Sequence, residues 1–118
     1  MNYKKKKKII CFDLDDTICS TKKKNYLSAK PKKKVINLIN VLYKNHIIKI
    51  YTSRYMGRNN ENVSKAKKQG FQNTKKQLRK WNLNYHELIM GKPSFDILID
   101  DKALGFNRNW TKKIIKKI

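Results

Sequence analysis

Acidic residues are scarce in this chain. Eight Asp and Glu stand against thirty Lys and Arg, giving a formal net charge of +22 over 118 residues. Arginine is scarce as well, with four Arg beside 26 Lys. There are two cysteines, Cys11 and Cys19, too few for a disulfide framework. No apolar run approaches the ~20 residues that span a bilayer. The apolar stretch Ile9 to Phe12, behind the run Lys4 to Lys8, is too short for the core of a signal peptide. These absences lead us to expect a soluble cytoplasmic protein with no membrane partner. Its length suits one domain over residues 1–118, with a basic N-terminal tail over 1–7 and a terminal helix over 107–118.

The positive charge suggests a nucleic-acid partner, since Lys and Arg neutralise backbone phosphates. Two features weigh against it. Readers of bases and phosphates favour the bidentate fork of Arg, and the lysines here are spread along the whole chain rather than gathered on one element. Asn and Ile are also unusually common, which fits compositional drift and a solvated Lys surface. A small anionic ligand is the favoured partner, concentrated by the positive field.

The few acids are more informative. Five of them lie in two short clusters, Asp13, Asp15 and Asp16 in one and Asp100 and Asp101 in the other, while Glu61, Glu87 and Asp96 read as structural. Asp13 ends one apolar run and Asp100 another. Neighbouring carboxylates repel, and a divalent cation is a common remedy.

Four apolar runs read as buried strands: Ile9 to Phe12, Ile47 to Tyr51, Tyr85 to Met90 and Phe95 to Ile99. Their Ile-rich, poorly alternating character suits a parallel sheet covered on both faces, and Cys11 reads as a small core residue of the first. Helical spacing follows Pro31, through Val35, Leu38, Ile39, Leu42 and Tyr43. A second helix is expected from about Asn60 to Lys68, stopping at Gly70. A third is expected to start at the capping box Thr74-Lys75-Lys76-Gln77. Trp110, Ile114 and Ile118 mark the terminal helix. Strands alternating with helices predict an α/β fold, a three-layer sandwich around a short parallel Rossmann-like sheet.

Ligands of such folds gather at the carboxyl ends of strands. Those ends carry Asp13, Thr52 and Asp100. An ionised Asp13 is a competent nucleophile toward phosphorus. Asp15, two residues on, can protonate a leaving oxygen and later activate water. Backbone amides in the turn after Asp13 can form an anion nest. Thr52 offers a hydroxyl to a phosphate oxygen, and Lys92, between Gly91 and Pro93, offers a fixed cation. Asp100 and Asp101 would complete a magnesium site. Thr17, Ser53, Arg54 and Arg58 are candidate substrate contacts; for the two arginines plain solvent exposure is the alternative. His46 and His86 read as structural.

Together these segments resemble the haloacid dehalogenase superfamily. Asp13-Leu14-Asp15-Asp16-Thr17 is similar to its first motif, Thr52 in Ile50 to Arg54 to the second, Lys92 to the third, and Ile97-Leu98-Ile99-Asp100-Asp101 to the fourth. The resemblance covers about residues 8 to 105. It implies phosphomonoester hydrolysis through an aspartyl-phosphate on Asp13, with Asp15 as general acid and base. It also implies magnesium held by the Asp13 side chain, the Asp15 carbonyl and Asp100, with Asp101 assisting. Many members have Gly where this chain has Asp16. Cys11 to Ser20, Ala29 to Pro31, Ile50 to Gly57 and Tyr85 to Lys102 further resemble small phosphatases of capsular polysaccharide biosynthesis, which implies a sugar-phosphate-like substrate. The intervals Asp13 to Thr52 and Thr52 to Lys92 are too short for a cap domain, so an open site is expected. The alternatives are a phosphatase acting on nucleotides or nucleic-acid ends, and a polyanion-binding protein without catalysis.

Overall fold

A computed structural model describes residues 6–118. The expected basic tail therefore lies largely outside the described residues. The main sheet has three parallel strands, β1 (Ile9–Asp13), β4 (Ile47–Thr52) and β5 (Glu87–Met90), in that spatial order. Two two-residue strands, β2 (Cys19–Ser20) and β3 (Lys30–Pro31), pair antiparallel beside it. The helices are α1 (Lys33–Tyr43), α2 (Val63–Lys80) and α3 (Trp110–Lys117). The chain thus has an α/β fold.

Register explains the core. Phe12 lies beside Ile50, which lies beside Leu88; Ile10 lies beside Ile48. Partners in register share a face. This face packs against Val35, Ile36, Ile39 and Leu42 of α1, Leu78 of α2 and Ile114 of α3 in one cluster. The step from β1 to β4 to β5 runs in one direction, so right-handed crossovers carry α1 and α2 to the same side. The opposite face holds Ile9, Cys11, Lys49, Tyr51, Glu87 and Ile89, none of them buried. Lys49 and Glu87 pair there across 3.6 Å in open surroundings. Coverage of both faces and a third layer were expected; the described residues build one covered face. Cys11, expected in the core, is exposed for the same reason.

Two further expectations change. The helices expected on either side of Gly70 are one helix, α2, capped at Asn62, whose side chain accepts from the Lys65 amide. Gly70 is not a stop: a Cβ there would collide with the Tyr55 ring, so the residue is small to admit that ring. Thr74 is consequently internal and buried. The expected strand Phe95 to Ile99 pairs with no strand among the described residues and projects into solvent, with every residue exposed. The outer edge of β1 accordingly carries no neighbouring strand among the described residues.

The two histidines hold backbone. His46 accepts from the Lys8 amide, and His86 accepts from the Ile48 amide while stacking on Tyr43. No helix among the described residues is long and apolar enough to cross a membrane.

Candidate active site

β1 delivers Asp13 at its carboxyl end, and the next residues fold back tightly. The Leu14 carbonyl accepts from the amides of Thr17, Ile18 and Cys19. Leu14 and Ile18 are fully buried and anchor the turn to the core. The turn returns Thr17, whose hydroxyl donates to Asp13 Oδ2 at 3.2 Å. Asp16 sits at φ 61°, in the left-handed region. Glycine takes this conformation freely and Asp tolerates it better than most residues, so Asp16 can hold the turn. Its carboxylate also accepts from the Thr21 amide at 3.1 Å.

Lys92 reaches the same place from the other end of the sheet. Gly91, at φ +95°, turns the chain just beyond β5, where a Cβ would press on Val63. The Lys92 amide then donates to the Thr52 carbonyl at 3.1 Å. Its ammonium lies 3.2 Å from Asp13 Oδ1. Each Asp13 oxygen thus has a separate partner, and the carboxylate remains partly open to solvent. Thr52 is buried, and its hydroxyl accepts from the Arg54 amide at 3.2 Å. An accepting hydroxyl still has its own proton to donate.

Asp15 is held differently. Arg54 Nε donates to Asp15 Oδ2 at 2.9 Å, and its NH2 donates to Oδ1 at 2.9 Å. Thr21 and Cys19 also donate to Oδ1. Arg54 was expected to face substrate or solvent; instead it is buried. A buried guanidinium needs its donors satisfied. Asp15 and the Gln77 side-chain carbonyl, 2.6 Å from NH1, satisfy it, and the Tyr26 ring lies 5.0 Å below. Gln77 in turn donates to the Tyr26 carbonyl. Cys19 lies against this pair. Burial pushes its thiol above the ordinary range, and Asp15 adds to that, against opposition from Thr21 and Arg54.

Arg58 is exposed and lies over the rings of Tyr26 and Tyr55, at 5.4 and 4.8 Å from their centroids. Ser53 is half-buried, with its carbonyl accepting from the Met56 amide. Asp100 and Asp101 do not join the site. Both are exposed, and Asp100 accepts from the Lys102 amide instead. Among the described residues no group of three or more His, Cys, Asp or Glu side chains is placed to hold a metal.

Sequence reasoning did not find the supporting set of Cys19, Thr21 and Gln77. Small and polar types are common in any chain, and only folding brings them around Asp15. A groove of about 360 Å³ lies between α1 and the end of α2, lined by Ile36, Asn40 and Trp81 and by neither Asp13 nor Lys92.

No family model matches the chain, and no curated protein matches it. Its structure is similar to the crystal structure of a structural-genomics target from Vibrio cholerae, with a TM-score of 0.77 at 25% identity. The likeness covers 93% of this chain and 98% of that one. The α/β arrangement is therefore shared along nearly the whole length of both.

Proposed function

We propose that the protein is a phosphatase of the haloacid dehalogenase type, hydrolysing phosphomonoesters through an aspartyl-phosphate on Asp13. One observation carries this reading. Asp13 and Lys92 are 79 positions apart in the chain, yet they meet at 3.2 Å where three parallel strands end, with the Thr17 hydroxyl on the other Asp13 oxygen. A carboxylate steadied by one cation and one hydroxyl, and open on one side, suits attack on an anionic phosphoryl group.

In the proposed sequence an Asp13 oxygen forms a bond to phosphorus as the ester bond to the alcohol breaks. The alcohol oxygen takes a proton from Asp15, which enters the step in its acid form, protonated on Oδ2, while Oδ1 keeps its bonds from Arg54 and Thr21. Water then attacks the same phosphorus, gives a proton to Asp15, and the Asp13–phosphorus bond breaks to release phosphate. Asp15 Oδ2 has a single hydrogen-bond donor, whereas Oδ1 is crowded, so Oδ2 is the oxygen to carry the proton. Lys92 and the Thr52 hydroxyl would hold phosphoryl oxygens. Arg58, on its aromatic shelf, is the exposed cation for a second anionic group of a sugar phosphate.

Magnesium is part of this reading by resemblance. The donors gathered in one copy do not fit it: Asp13 is held by Lys92 and Thr17, Asp15 by Arg54, and Asp100 is exposed and accepts from the Lys102 amide, so no group of three acidic or metal-ligating side chains forms among the described residues. No step above is routed through the ion.

The charge of +22 favours a second reading, a phosphatase of nucleotides or nucleic-acid ends. One experiment addresses both. Phosphate release is measured from sugar phosphates, nucleotides, 5′-phosphorylated oligonucleotides and an aryl phosphate, with and without magnesium, for the wild type and Asp13→Asn. Release that is lost in a folded Asp13→Asn protein supports the mechanism, and the panel ranks the substrates. No release from any of them by the folded wild type overturns the phosphatase reading.

A further inference from the structure

The projecting segment Phe95 to Asp100 has the makings of a strand and no partner. Ile97 is 80% exposed and Ile99 is 93% exposed. Phe95 and Leu98 are exposed too. Soluble chains rarely leave four consecutive or near-consecutive large apolar residues in water without a use for them. The radius of gyration, 14.8 Å, exceeds the roughly 13.5 Å of a compact chain of this length. The long axis reaches 52 Å against 32 and 26 Å for the others.

Both ends of the arm are anchored. Ser94 donates to both carboxylate oxygens of Glu61, just before α2, the helix that packs on β5. Beyond the arm, Leu104 packs on the core and Trp110 packs on Phe12. The arm therefore leaves the body and returns to it, while the outer edge of β1 stays unpaired.

We infer that this edge is filled by the arm of a second copy, each chain lending its arm to the other in a two-fold dimer. Length and pattern match. Laid parallel to β1, Asp96 to Asp100 covers Ile9 to Asp13 residue for residue. Ile97 then lies beside Ile10 and Ile99 beside Phe12, extending the covered face. Leu98 lies beside Cys11 on the other. The register that buries the two most exposed isoleucines also brings Asp100 beside the partner's nucleophile, with Asp101 next to it. The exchange thus pairs an open edge, buries the apolar arm and supplies the missing carboxylates in one movement. The role given to Asp100 and Asp101 rests on the phosphatase reading; the pairing of the arm does not.

Disulfide trapping tests the pairing without any assay of activity. Neighbouring strands lie about 4.8 Å apart, within reach of a disulfide. Leu98→Cys should therefore bond to exposed Cys11 of the other copy under mild oxidation. The expected result is a covalent dimer on a non-reducing gel, beyond that of the unsubstituted chain and absent from Leu98→Cys with Cys11→Ser. Salt of at least ~0.15 M is used, because two chains at +22 repel at low ionic strength. A monomer that has consumed both thiols would show the arm closing on its own β1 and overturn the exchange. A dimer that persists without Cys11 would show arm against arm, and no disulfide at all would show neither; each overturns the proposal.

The shared site has its own test. Asp13→Asn and the double variant Asp100→Asn, Asp101→Asn should each be inactive. Co-refolded in equal amounts, they should regain about one quarter of wild-type phosphate release, since half the dimers are mixed and each has one intact site. An active wild type with no recovery in the mixture overturns the sharing of carboxylates. An inactive wild type removes the phosphatase reading and leaves the disulfide result to decide the exchange.

Discussion

Arg54 grips both carboxylate oxygens of Asp15, and it does so from a fully buried position. The pair joins the loop after β1 to the loop after β4, and through Gln77 to α2. Breaking a buried pair leaves an uncompensated charge, which costs about 3–5 kcal/mol. Asp15 is partly exposed, so the lower end applies. Arg54→Ala should lose about 3 kcal/mol in denaturant unfolding. Arg54→Lys should recover only part of that, because an ammonium cannot bridge both oxygens and Gln77 with the fixed fork of a guanidinium.

Lys92 and Asp13 form a different kind of pair. Both side chains are partly exposed, so the contact contributes under ~1 kcal/mol to folding. Lys92→Met should therefore unfold at nearly the wild-type denaturant concentration. Under the proposed mechanism it should lower phosphate release by ~10²-fold or more, the loss seen when a stabilising donor is removed from a reacting anion. Equal losses of stability and rate would argue that Lys92 is a prop for the loop and nothing more.

Asp16 tests the turn. A left-handed residue with a Cβ costs about 1–2 kcal/mol unless it is Asn, Asp or Gly. Asp16→Ala should fall by that amount, with loss of the bond to the Thr21 amide added. Asp16→Gly loses the same exposed bond but relieves the residual left-handed strain, so it should stay within about 0.5 kcal/mol of the wild type and keep whatever activity the wild type has. Thermal melts of the two variants decide it.

Thr74 offers a stabilising change. Its hydroxyl is buried and has no hydrogen-bond partner among the described residues. Burying such a group costs about 1–3 kcal/mol. Thr74→Val keeps the shape and removes the hydroxyl, so it should raise stability by about 1 kcal/mol. A fall in stability would mean that the hydroxyl has a partner in solution.

Cys19 gives the fold a sensitivity to alkali. Its thiol is raised in the folded state, chiefly by burial. The folded chain then holds the proton more tightly than the unfolded one. The resulting stability is complete below the ordinary thiol range and is lost as pH rises through the folded value. The denaturation midpoint should decline as pH rises above the ordinary thiol value of about 8.5. The decline should be smaller in Cys19→Ala, whose overall stability is lower for loss of packing. Alkylation should label exposed Cys11 well before Cys19.

Much of this was legible in the chain, for physical reasons. Ile47 to Tyr51 and Ile9 to Phe12 could be placed as strands because each is a short apolar run ended by a polar residue. α1 could be placed because its apolar positions recur at helical spacing after Pro31. The meeting of Asp13 and Lys92 followed from both lying just beyond strand ends. Other features depend on tertiary contacts that no local pattern encodes. Gly70 reads as a helix stop until Tyr55 is found against it. Arg54 reads as a surface cation until Asp15, Gln77 and Tyr26 are found around it. Phe95 to Ile99 reads as a buried strand, and its composition is that of one, but an apolar run cannot say whose sheet edge it meets. Ile-rich strands likewise suggest burial on both sides, while Lys49 and Glu87 mark one side as wet.

The bare arm has a consequence for how the protein must be handled. Phe95 to Ile99 is a short, β-prone segment of the kind that seeds cross-β stacking, and Lys92, Pro93 and Lys102 flank it as gatekeepers. Where an arm is not taken up by a partner copy, the charge of +22 opposes its stacking against other free arms by mutual repulsion. Colloidal stability here therefore depends on the lysines staying uncompensated. A polyanion such as heparin or long-chain polyphosphate, added near charge equivalence, would cancel that repulsion and turn a clear solution turbid. The same addition to a chain with Ile97 and Ile99 replaced by Thr should leave it clear.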